Sequence, residues 1–117
     1  MPGENSKIIV RFVSEGFHYW SGAPVERAYL GSRHRHLFHV EAETEVNHDD
    51  REIEFHDLLN EARSLFPVGD LGPRSCESLA RGLASASAQK YRRPFRVAVF
   101  EDNEVGASAT VSTPPPA

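Results

Sequence analysis

The stretch from His34 to Val46 restricts this chain most, because its residues alternate with a period of two. The even positions are His34, His36, Phe38, Val40, Ala42, Thr44 and Val46; the odd positions include Arg35, His39, Glu41, Glu43 and Glu45. Successive side chains of an extended strand point to opposite faces, so the pattern predicts a strand with one apolar face and one solvated face. His34 and His36 continue the core-facing row. Two neutral imidazoles converging on one point supply most of a transition-metal site.

A second alternating segment runs from Lys7 to about Val13, with Ile8, Val10 and Phe12 on one face and Ile9, Arg11 and Val13 on the other. Carrying that parity forward brings His18 to the face of Ile8, Val10 and Phe12, unless Gly16 introduces a bulge. His18 is therefore a third candidate ligand. His39 has the opposite parity to His34 and His36, and it is read with His48 and His56 as a surface or supporting residue.

Between these strands, residues 21–33 contain Gly, Pro and Ser and read as a loop. Asn47-His48-Asp49-Asp50 reads as a turn. Phe55, Leu58, Leu59, Ala62, Leu65 and Phe66 keep the i, i+3, i+4, i+7 spacing of an amphipathic helix over 55–66. Pro67, Gly69, Gly72 and Pro73 end it. A second helix begins near Ser75, a good N-cap, with Glu77 in its first turn where the helix dipole favours a carboxylate, and runs to about Tyr91. Pro94 separates it from a strand over Phe95–Glu101. A turn at Asp102-Asn103-Glu104 and a last strand near Gly106–Val111 follow. Residues 1–111 read as one domain, and 112–117, with three prolines, as a disordered tail.

The expected order is ββααββ, an α+β architecture with a four-stranded antiparallel sheet and both helices on one face. Two open sheet edges are a liability, so the edges are expected to pair with neighbouring subunits. A net charge of -4 gives no footprint for nucleic acid or an anionic membrane. The local cluster Lys90, Arg92, Arg93 and Arg96 reads as a solvated helix end. Cys76 is the one cysteine, which excludes an intrachain disulfide. With no apolar run near the ~20 residues of a membrane helix and a polar N-terminus, a cytoplasmic protein is expected.

Four segments, in order, resemble the 6-pyruvoyltetrahydropterin synthase and 6-carboxytetrahydropterin synthase family on the tunnelling fold. SEGFHYW is similar to the family's F-x-A-A-H segment, and SRHRHLFHVEAE to its L-H-G-H strand. SCESLARGL is similar to its P-T-x-E-N-L-A helix start, and VAVFED to its V-x-V-x-E-T strand. The resemblance spans roughly residues 7–111. It implies His18, His34 and His36 as the ligands of Zn²⁺ and Glu101 as the carboxylate anchoring a pterin. It also implies trimers whose sheets close into a barrel, two of them stacked as a hexamer. Two departures stand out. The position of the family's catalytic cysteine is Leu30, and the family's Asp-His pair is missing from the connection PVGDLGPR.

These residues carry definite chemical expectations. Three histidines with an open fourth position are the pattern of catalytic zinc, against the plainer reading of unrelated histidines in a chain that has six. Glu101 shares parity with Phe95, Val97 and Val99. A carboxylate ending such a row could accept two N–H bonds from a 2-aminopyrimidinone edge, as in a pterin or guanine, and its desolvation would sharpen recognition; the plainer reading is a solvated strand end. Ser75 and Cys76, at a helix start with free N–H groups, could hold a heterocycle carbonyl; the plainer reading is an N-cap and a packing thiol. Tyr29, Glu15, Asp70 or a zinc-bound hydroxide are possible bases, none distinguished, so no catalytic base is assigned. The functional expectation is a zinc-dependent lyase-like protein acting on a pterin- or purine-like heterocycle. The alternatives are a binding or scaffold member without turnover and a cupin-like metal protein built on His34, His36 and Glu41. The last requires Glu41 to cross to the histidine face.

Overall fold

In the computed structural model, which describes residues 5–112, the two alternating segments form one long antiparallel hairpin. Strand β1 (Ser6–His18) pairs with β2 (His34–Val46) from Ser6 opposite Val46 to His18 opposite His34, without a break in register. The sequence parity of both segments therefore holds to their ends. Val10, Phe12 and His18 of β1 and Phe38, Val40, Ala42 and Val46 of β2 are buried on one face.

Helix α1 (Phe55–Leu65) and helix α2 (Cys76–Tyr91) cover that face. The Glu54 side chain accepts from the His56 N–H to start α1, and Ser75 Oγ accepts from the Ser78 N–H at 3.1 Å to start α2. Arg92 closes α2 in the left-handed region with φ 58. Leu58 and Ala62 of α1 and Leu79, Ala80, Leu83, Ala84 and Ala88 of α2 meet the sheet in a single apolar cluster. The small residues of α2 let its backbone lie close to the two strands that follow, Phe95–Glu101 and Val105–Val111, which form a hairpin.

The expected four-stranded, all-antiparallel sheet is corrected. The sheet has five strands in the order β3-β1-β2-β4-β5, where β3 is Gly69–Gly72, β4 is Phe95–Glu101 and β5 is Val105–Val111. The extra strand β3 lies in the segment after α1 that its two glycines and flanking prolines mark as a helix terminator. It runs parallel to β1, with Gly16 opposite Gly69, Phe17 opposite Asp70 and His18 opposite Gly72, and the register shifts between the last two pairs. That shift leaves Leu71 as the extra residue, and it is buried. Gly16 makes this possible, because a Cβ there would stand 2.7 Å from Leu71 Cδ1 and 3.2 Å from Phe38 Cε2. A further correction concerns residues 21–33, expected as a plain loop, where Val25–Gly31 forms a 3₁₀ helix kinked at Arg27. The proline-rich tail expected over 112–117 lies, from 113 onward, outside the described residues, as do residues 1–4.

The opposite sheet face carries the polar row. Arg11 Nε donates to Glu41 Oε1 at 2.7 Å, and Arg96 bridges Glu41 and Glu43 at 3.3 and 3.2 Å. Glu41 is thus committed to arginines on the face away from His34 and His36, so the cupin-like arrangement lacks its carboxylate. No helix among the described residues is long and apolar enough to cross a membrane.

Candidate metal centre

The ends of β1 and β2 bring His18, His34 and His36 together. His18 and His34 are directly opposed across the two strands, and His36 is the next residue on the same face of β2. The ring centroids lie 4.6 to 5.2 Å apart, and one nitrogen from each ring falls within 4.8 Å of the others. The group could hold a metal ion.

Each ring is oriented by an acceptor behind it. His18 Nδ1 donates to the Arg74 carbonyl at 2.8 Å, His34 Nδ1 to the Ser32 carbonyl at 2.8 Å, and His36 Nδ1 to Asp102 Oδ2 at 2.7 Å. A carbonyl or carboxylate oxygen can only accept, so each Nδ1 carries a proton, and a ring in its neutral form presents the Nε2 lone pair. Rings held from behind by carboxylates or carbonyls are the usual support of metal-ligating histidines. His18 is only 6 % exposed, and the Nε2 atoms of His18 and His36 are buried without a hydrogen-bond partner among the described residues. An unpaired buried nitrogen costs about 1–3 kcal/mol, and two converging on one spot fit a cation better than they fit a packed core.

Asp102 was not singled out in the sequence beyond its place in a turn. It is the residue after β4, where a tight turn puts Asp102 and Asn103 at φ 53 and 60, a backbone region that short polar side chains tolerate. Its N–H donates to the Leu37 carbonyl at 2.8 Å, and its Oδ1 accepts from the Leu37 N–H at 3.1 Å. The turn is thereby fastened to β2 beside His36. The His36 ring N–H, and after it the Leu37 N–H, hold the Asp102 carboxyl below the usual carboxylate range. The Ser32 and Arg74 carbonyls are main-chain groups and have no sequence signature at all.

Beside the rings lies a cleft of about 470 Å³. Its walls include His18, His34, Glu101, Ser75, Cys76 and Leu30, so all three residues expected to touch a ring compound border it. Ser75 Oγ is occupied in capping α2. Cys76 is buried, and its Sγ donates to Glu101 Oε2 at 3.8 Å. Burial, with the nearby Glu101 and Glu77 carboxylates, pushes its thiol up to about 12, which leaves it a protonated donor rather than a nucleophile. Glu101 Oε2 approaches His18 Nε2 at 3.2 Å and Oε1 approaches His36 Nε2 at 3.5 Å.

The remaining residues fall elsewhere. Tyr29 and Glu15 are exposed, Glu15 paired with Arg35 at 2.7 Å, and Asp70 sits on the edge strand near Arg33 at 3.9 Å; none borders the cleft. Tyr19 and Glu77 do border it; Glu77 is read from the sequence only as a first-turn carboxylate of α2, and Tyr19 carries no pattern that marks it. His39 lies on the other sheet face between Val13 and Phe100, and His48 and His56 are exposed. No family model matches the chain, and no curated protein matches it in sequence.

Proposed function

We propose that this chain is a zinc-dependent protein of the pterin-synthase type, acting on a pterin- or purine-like heterocycle held in the cleft beside the three histidines. The observation that carries the reading is the set of three inward Nε2 atoms whose rings are each fixed through Nδ1. Neutral imidazoles suit zinc, and three protein ligands leave a position for substrate. When bound, the ion would supply Lewis acidity toward a carbonyl or hydroxyl of the ligand. Glu101 would accept N–H groups of the ring edge, and the free N–H groups at the start of α2, around Ser75 and Cys76, would face a ring carbonyl. Leu30 and Trp20 would supply apolar contact.

A second reading, a holder of the same heterocycle without turnover, is favoured by one observation: Leu30 stands on the cleft wall as a side chain that cannot move a proton. Both readings include self-association into a trimer or hexamer, and a lone free thiol suits the reducing cytoplasm. The test is incubation of zinc-loaded protein with 7,8-dihydroneopterin triphosphate, with chromatography for product and calorimetry for binding. Product supports the enzyme, and binding without product supports the holder. If neither that compound nor guanine binds, the heterocycle reading is lost.

A further inference from the structure

We propose that Glu101 is a fourth, exchangeable ligand of the metal, closing the site when the cleft is empty and leaving it when a ring compound claims the carboxylate. The inference rests on the reading of His18, His34 and His36 as a metal site, and it goes beyond the ring-anchoring role given to Glu101.

The geometry around Glu101 carries the argument. His18 and His36 engage Nδ1 with Arg74 and Asp102, so each turns its Nε2 toward Glu101. The two Nε2 atoms face its carboxylate, at 3.2 Å from His18 and 3.5 Å from His36, and neither makes a hydrogen bond among the described residues. A carboxylate set against two imidazoles calls for positive charge between them, which a proton on a ring or a cation shared by the groups supplies. Ligand atoms around a tetrahedral zinc with bonds of about 2.0–2.1 Å stand about 3.3 Å from one another. Glu101 Oε2 stands near that separation from His18 and Oε1 from His36, one oxygen to each ring, and both contacts are longer than a charge-assisted hydrogen bond; a small rotation of the carboxylate would bring one oxygen to the three imidazoles grouped there.

The surroundings make the carboxylate movable. The Cys76 thiol holds Oε2 only weakly at 3.8 Å, and the side chain keeps about a quarter of its surface exposed, 26 %, toward the cleft. By contrast the three imidazoles are each fixed by a short hydrogen bond. Glu101 is therefore the member of the set that can leave. An incoming ring edge with two N–H donors would take both oxygens and in the same movement uncover the metal. Substrate entry and opening of the coordination sphere become one event.

Cobalt reports the coordination sphere, since Zn²⁺ has no visible spectrum. The apoprotein and its Glu101→Gln variant are titrated with Co²⁺ alone, followed by azide as a small external ligand. The expected wild-type spectrum is that of a four-coordinate ion with weak azide binding. In Glu101→Gln the bands shift, Co²⁺ affinity falls by about one to two orders of magnitude, the scale on which supporting groups act, and azide binds at least about tenfold tighter. A neighbouring charge without coordination would lower affinity and leave the band shape alone. Unchanged bands and unchanged azide binding, with circular dichroism showing both proteins folded, would overturn the Glu101 role and leave the histidine site standing. Failure of the wild type itself to bind Co²⁺ would overturn both.

Discussion

At the scale of single residues, the site is a matter of which proton sits where. Asp102 touches the cluster only through His36, yet it fixes both the tautomer and the tilt of that ring. Replacing it with Asn leaves the turn its polar side chain but removes the charge, and zinc affinity is expected to fall by about 10–100-fold, measured by competition with a chromophoric chelator. His36→Ala should abolish binding at the same zinc concentration. How much of this was legible differs sharply between the residues. His34 and His36 declared themselves because strand alternation assigns each a face from its position alone. His18 needed only the assumption that β1 runs unbroken through Gly16. Asp102 stayed hidden because its partner His36 lies far away along the chain, and no local pattern encodes a hydrogen bond between two strand ends. The carbonyls of Ser32 and Arg74 could not be read at all, since every residue has one.

At the scale of elements, the long hairpin and both helices followed from periodicity, while β3 did not. Gly69-Asp70-Leu71-Gly72 has too few residues to show a period, and its partner β1 is parallel, so no turn announces the pairing. Its one core residue makes it testable. Leu71→Ala is expected to cost about 2–5 kcal/mol in urea unfolding, because the side chain is 3 % exposed and fills the space that Gly16 leaves open. A second device ties the far end of β2 to the end of α2: Glu52 accepts from the Asn47 N–H at 2.7 Å and pairs with Arg93 at 2.6 Å. The Asn47 N–H first, and Arg93 after it, hold the Glu52 carboxyl below its ordinary value. A carboxyl depressed by folding stabilises the native state above its unfolded value and loses that contribution as pH falls through the folded one. Glu52→Gln should therefore lower the urea midpoint at pH 7, and the gap from wild type should close as the pH drops below about 4.

At the scale of the whole molecule, the three histidines come from the paired ends of β1 and β2, so an ion held there would act on the sheet as a clasp. Zinc at about 100 times its dissociation constant adds about 2.7 kcal/mol to a state that alone binds it. For a domain of this size that corresponds to a rise in Tm of about 10 °C or more, read by calorimetry with and without a chelator. The self-association in the functional reading is checked separately by light scattering, where a monomeric mass at working concentration would remove it. The unbroken pairing from Ser6–Val46 to His18–His34 has a further consequence. Sliding one strand past the other by a single step would offer Phe17 or Arg35 where an imidazole belongs, and the ion would find no purchase. Zinc supplied during refolding would thus act as a proofreader, retaining hairpins that zipped in alignment and leaving slipped ones to come apart and try again.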